Sequence, residues 1–183
     1  MDQIRILGIA GSLRTASYGG AVLRAANNLT SPDLLLEIYD LKDLPVFNQD
    51  MELSLPGAAK NFKSAISRSD GILFVTPEYN YSVPGVLKNA IDWASRPFGD
   101  NSWDNKPAAI ISYSPGMLGG SRALYHLRQV GVSLNLHFLN RPEVIIPQVK
   151  DKIDDQGNLV DTKTRDKIRE LLTALRDWTI KIR

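Results

Sequence analysis

The apolar positions of this chain fall into short, mostly apolar runs that alternate with stretches of helical spacing. IRILGIA (residues 4–10) predicts a first strand, mostly apolar and ending in small residues. A loop over residues 11–20 follows, and then Ala21, Val22, Leu23, Ala25 and Ala26 predict a helix. The turn formers Ser31-Pro32-Asp33 launch a second strand over 34–40. A polar, proline-containing segment (44–57) leads to a helix over 58–67. Ile72-Leu73-Phe74-Val75 is an uninterrupted apolar run, the pattern of a strand buried on both faces. Val83, Val86, Leu87, Ala90, Ile91 and Ala94 then recur at helical spacing, with Pro84 in the first turn. Further on, 107–113 predicts a fourth strand, and Ser121 is placed to cap a helix over 122–130. Residues 133–140 read as a fifth strand, and Asp155-Gln156-Gly157-Asn158 as the turn of a surface hairpin within 149–161. In the last helix Ile168, Leu171, Leu172, Leu175, Trp178 and Ile182 form one apolar stripe, while Lys163, Arg169 and Arg176 read as its solvated face.

Five strands alternating with helices predict an α/β fold with a doubly wound, five-stranded parallel sheet and helices on both faces. No repeat or linker divides the sequence, so residues 1–183 read as a single domain. A strand order of 2-1-3-4-5 makes strands one and three neighbours at a switch point, where ligands bind outside the strands' carboxyl ends. Three loops would meet there: GSLRTASYGG (11–20), TPEYNYS (76–82) and SPGMLGG (114–120).

Composition narrows the chemistry. With 183 residues, 43% apolar and 23% charged, the chain is ordinary for a globular protein, and its net charge of +2 asks for neither nucleic acid nor an acidic membrane surface. The absence of cysteine removes disulfides, thiolate nucleophiles and cysteine-ligated metals. The opening MDQIRIL enters a strand directly, which makes a cytoplasmic protein the expectation.

The first loop has the parts of a phosphate site: Gly11 for close approach, the Ser12 and Ser17 hydroxyls, the Arg14 guanidinium and a helix N-terminus just after. The same residues also serve an ordinary strand-to-helix turn. Neither the G-x-G-x-x-G nor the G-x-x-x-x-G-K-[ST] fingerprint is present. Asp40, which could imitate a ribose-binding acid, therefore reads as a turn residue. In the second loop Pro77-Glu78-Tyr79-Asn80 supplies backbone donors, and Tyr79 and Tyr81 supply flat apolar surface. Glu78 reads as an orienting carboxylate rather than a general base. His126 and His137 lack metal-ligand spacing and read as structural. A Ser-His-acid triad drawn through Ser12 or Ser114 lacks the G-x-S-x-G elbow.

PEYNYSVPGVLKNAIDW, together with GSLR near the amino terminus, resembles the NAD(P)H-dependent FMN reductase family, in particular its bacterial chromate and quinone reductases. The resemblance covers nearly the full length and implies a flavodoxin-like fold. It implies an FMN phosphate on Ser12, Arg14, Ser17, Tyr18 and Gly19, with Tyr18-Gly19-Gly20 a local departure in a variable stretch. It places the flavin ring and ribityl chain along Pro77, Glu78, Tyr79 and Asn80, bordered by Tyr81, with Ser114 and Gly116 at the opposite edge. NADPH or NADH would be the donor. A quinone, azo compound, free flavin or metal oxyanion such as chromate would accept electrons at the same ring face in a ping-pong cycle. No side chain need act as acid or base, so no catalytic residue and no metal ligand is assigned. A homodimer or homotetramer is implied, and Phe98 and Trp103, aromatic residues in the turn-rich loop 96–106, are expected at an exposed contact surface. Arg14, Arg96, Arg122 and Arg128 are open alternatives for the 2′-phosphate of NADPH. Two rivals remain: a flavodoxin-type electron carrier, which the sequence pI of about 8.8 disfavours, and a flavin-sensing regulator without turnover.

Overall fold

A computed structural model describes residues 3–183. β1 (Ile4–Ala10), β3 (Gly71–Pro77) and β4 (Pro107–Tyr113) form the middle of a parallel sheet, with β2 (Leu34–Tyr39) outside β1. The strand order is 2-1-3-4-5, as the alternation predicts. Every residue of β3 and β4 is buried, because both faces of the sheet are covered. Successive side chains serve opposite cores. Leu73, Val75, Ala109 and Ile111 pack with α1 (Tyr18–Asn27) and α5 (Thr162–Ile182). Ile72, Phe74, Ala108 and Ile110 pack with α2 (Gly57–Arg68), α3 (Gly85–Ala94) and α4 (Ser121–Ser133).

The fifth strand differs from its expected span. Residues 133–136 belong to the end of α4 and the turn after it, where Asn135 takes φ 57°. β5 is only His137–Phe138, beside the start of β4, and a further strand, β6 (Val144–Ile146), pairs with the end of β4. The edge is thus one strand position broken in two around Pro142, which has no N–H to give a ladder. Pro84 precedes α3 instead of sitting in its first turn. The hairpin near 155–158 is present, closed by a bridge between Ile153 and Leu159.

Trp103 corrects a second expectation. It is fully buried, packs against Phe62 and Phe74, and donates its indole N–H to the Ile91 carbonyl at 3.1 Å. Phe98, 93% exposed, does stand out from the same loop. Lys63 holds that loop's shape: its ammonium donates to the carbonyls of Ala94, Arg96 and Asp100.

Asp161 caps α5, accepting from the Thr164 hydroxyl at 2.6 Å and the Thr164 N–H at 2.9 Å. These bonds, and then Lys152, pull its carboxyl from 3.8 down to about 2. A depressed carboxyl stabilises the fold fully above its ordinary value and loses that contribution as pH falls through the lowered one. Asp161→Ala should therefore cost about 1 kcal/mol near neutral pH. The gap in urea midpoint from the parent should narrow as pH falls below 4 towards 2.

Candidate functional site

The carboxyl ends of β1, β3 and β4 open into one crevice, and the three predicted loops meet there. Its walls are Ser12, Arg14, Ser17 and Tyr18 from the first loop, Pro77, Glu78 and Tyr79 from the second, and Ser114 and Pro115 from the third. Gly11 lets the first two loops touch: its N–H donates to the Val75 carbonyl at 2.9 Å, and a Cβ there would lie 3.2 Å from the Pro77 ring. β4 completes the floor with Tyr113, in register with Pro77 across the sheet.

In the first loop α1 begins earlier than predicted, at Tyr18, and Ser17 is its cap. The Ser17 hydroxyl oxygen accepts from Gly19 N–H at 3.1 Å and Gly20 N–H at 3.4 Å. Gly19 is needed for space, since a Cβ would lie 2.6 Å from the Tyr113 hydroxyl. Burial pushes the Tyr113 phenol above its ordinary value, and hydrogen bonding to Ser17 partly offsets this. Arg14 is exposed and forms no ion pair among the described residues. Hydroxyls, an uncommitted guanidinium and a helix N-terminus together suit a phosphate monoester. The adjoining Tyr79 ring and the Pro77 and Pro115 carbons suit a flat ring system, so the donor set fits FMN.

The second loop is a tight turn. Tyr79 and Ser82 exchange both backbone hydrogen bonds, at 3.1 and 3.0 Å, and Asn80 and Tyr81 take φ of 50° and 65°. This is the two-residue, positive-φ hairpin turn. It consumes the Tyr79 N–H, one of the donors that the loop was expected to offer. Asn80 and Tyr81 stand at the rim rather than in the crevice wall. Gly116 is also outside the wall, its carbonyl accepting from the Ser114 hydroxyl and from Gln148 N–H.

Glu78 has a structural task that the sequence did not disclose. Its carboxylate accepts from the N–H groups of Arg122 (3.0 Å) and Ala123 (3.4 Å) and pairs with Arg122 Nη1 at 2.9 Å. It caps α4 from another loop. Ser121, the expected cap, is the first helical residue and makes no capping bond. Of the other arginines, Arg96 pairs with Glu52, and Arg128 is taken up by the Leu139 carbonyl, Asn140 and Glu143. His126 sits against Ser82 and His137 against Asn105, so neither meets Ser12 or Ser114 as a triad would require. Asp40 accepts from Lys42 N–H, the turn role expected of it. Tyr113 and Pro115 are the wall residues that the sequence reading missed. For Tyr113 a signal existed, since it ends the fourth strand as Pro77 ends the third.

A family model described as NADPH-dependent FMN reductase matches residues 4–151. An NAD(P)H-dependent FMN reductase of Pseudomonas aeruginosa is 47% identical over 183 residues, covering 100% of this chain and 98% of that protein. An NADPH:quinone oxidoreductase of Arabidopsis thaliana is 45% identical, with 98% of this chain and 93% of that protein covered. Among solved structures, the flavoenzyme NAD(P)H:(acceptor) oxidoreductase FerB of Paracoccus denitrificans superposes with a TM-score of 0.88 at 35% identity, covering 97% of this chain and 98% of that one. Sequence, sheet order and crevice agree, and the chain belongs to the NADPH-dependent FMN reductase family.

Proposed function

We propose that this protein passes electrons from NAD(P)H to quinones through FMN held in the three-loop crevice. The observation that carries this reading is the convergence of the Arg14 loop and the Tyr79 loop on one opening. Relatives named as quinone oxidoreductases support the acceptor class. Ser12, Arg14, Ser17, Tyr18 and Gly19 would hold the phosphate. Pro77 to Asn80 would lie along the ring and ribityl chain, with Ser114 and Gly116 at the far edge. Hydride acceptance and donation are what FMN supplies when bound. The chain's residues orient it, exclude water from the buried edge and leave one side open. Overall, NAD(P)H gives up a hydride, and the quinone gains two electrons and two protons, the second proton from solvent. Cytoplasmic NAD(P)H would serve as donor.

One open side implies that donor and acceptor use it in turn. Double-reciprocal plots of NADPH oxidation at several menadione concentrations should be parallel, with menadione at high concentration competing against NADPH. Intersecting lines would reject the shared opening. Chromate, an azo dye and free FMN, assayed alongside, test the other acceptor classes. An electron carrier or a regulator would show no sustained loss of nicotinamide absorbance.

The exposed Phe98 supports a homodimer in which this ring is covered. Phe98→Ala should leave urea stability within about 0.5 kcal/mol when assembly is absent. It should shift the light-scattering mass towards monomer; an unchanged mass would remove Phe98 from the contact.

A further inference from the structure

Tyr81 is held in a conformation that tyrosine rarely adopts, at the rim of the crevice. Its φ of 65° puts a bulky side chain in the left-handed region, which favours glycine and asparagine. Asn80 fits the same turn without penalty, so the cost falls on Tyr81. Such outliers persist only where surrounding structure over-determines them. The ring is 65% exposed and lies outside the crevice wall.

What holds it is α4. The Arg122 guanidinium stacks over the Tyr81 ring, 3.8 Å from the ring centre. Arg122 is itself aimed from two sides by Glu78, through its own backbone N–H at 3.0 Å and through Nη1 at 2.9 Å. The Glu78 side chain is only 11% exposed, whereas that of Arg122 is 39% exposed, so the pair is shielded on its carboxylate side. One residue beyond Tyr81, the Ser82 hydroxyl lies 3.1 Å from His126 Nδ1. Three residues of one loop therefore grip one helix. Glu78 belongs to the crevice wall and Tyr81 to its rim, and Arg122 links the two. A guanidinium on one face of the ring leaves the other face without an aromatic or cationic partner among the described residues.

We propose that Arg122 is a positioning residue that fixes Tyr81 as a rigid aromatic wall at the mouth of the crevice, selecting flat aromatic acceptors by stacking on the ring's free face. This rests on the acceptor reading above. A preformed wall costs little ordering on binding, which is the advantage of holding a strained ring in place. An acceptor with no flat face gains nothing from it.

The test compares menadione, a planar quinone, with ferricyanide, an octahedral ion that cannot stack. Arg122→Ala should raise the KM for menadione about two- to fivefold with kcat retained. With NADH as donor, which carries no 2′-phosphate, ferricyanide turnover should be unchanged, as should the FMN affinity measured by fluorescence titration. Arg122→Lys should fall between, since lysine keeps the charge pair with Glu78 and loses the stacking plane. In a Tyr81→Ala background, Arg122→Ala should add nothing. Hydrogen exchange in the cofactor-free protein should show faster exchange of the Tyr79 and Ser82 amides in Arg122→Ala. Equal effects on both acceptors, additive effects with Tyr81→Ala, or unaltered exchange would each overturn the proposal. The exchange measurement needs neither cofactor nor acceptor. A parent protein that fails to bind FMN or to oxidise NAD(P)H would instead count against the proposed function, while exchange still decides whether Arg122 holds the turn.

Discussion

Arg14→Ala should weaken FMN binding by about 1.5–3 kcal/mol, roughly ten- to a hundredfold in Kd. Arg14 is the cation of the crevice with no carboxylate competing for it, whereas Arg122 at the rim is bound to Glu78. A phosphate placed among Ser12, Ser17 and the α1 N-terminus would receive a charge-assisted bond from this guanidinium. Because Arg14 is exposed and contacts little beyond the Tyr18 ring, 5.9 Å away, its removal should leave the cofactor-free protein's thermal midpoint in place. Arg14→Lys should recover part of the affinity, keeping charge without the planar fork. Quenching of flavin fluorescence on titration measures each variant. A loss under twofold would move the phosphate away from this loop.

Trp103→Ala should cost about 3–5 kcal/mol of stability, the range for emptying a large aromatic site in a core. The indole is fully buried between Phe62 and Phe74, and its N–H reaches the Ile91 carbonyl, the final turn of α3. Truncation would leave a cavity beside Phe62 and Phe74, while the Ile91 carbonyl would keep the Ser95 N–H at 3.1 Å. Denaturant unfolding followed by circular dichroism should show the midpoint falling steeply, with the slope retained. A loss below about 1 kcal/mol would mean that the loop simply collapses into the space. Phe98→Ala, five residues earlier, should do almost nothing to the isolated fold.

That pair shows where sequence reading loses its grip. Phe98 and Trp103 sit in the same turn-rich loop, and nothing in periodicity separates them. The difference lies in distant partners: Trp103 meets Phe62 and Phe74, far off in the chain, while Lys63, about forty residues upstream but adjacent in the fold, gathers the carbonyls of Ala94, Arg96 and Asp100. The split edge strand escaped for a similar reason. β5 and β6 are two and three residues long, too short to display alternation, and each exists because β4 offers it an edge.

The rest was legible because it is local. Mostly apolar runs over 4–10, 72–75 and 107–113 point to strands covered on both sides, and such strands joined by helices point to a parallel, doubly wound sheet. From that order alone, the loops after strands one, three and four must meet, and they do. Residue types in those loops then raised the expectation of an anion next to a flat ring. What the sequence could not announce was how the loops are held. The Glu78 carboxylate caps a helix that begins more than forty residues later, and Arg122 stacks on a tyrosine equally distant along the chain. Capping is legible when the cap lies beside its helix, as Ser17 does for α1. When the cap comes from another loop, only the folded chain brings acceptor and donors within 3 Å, and its tertiary structure decides the roles of Glu78, Arg122 and Tyr81.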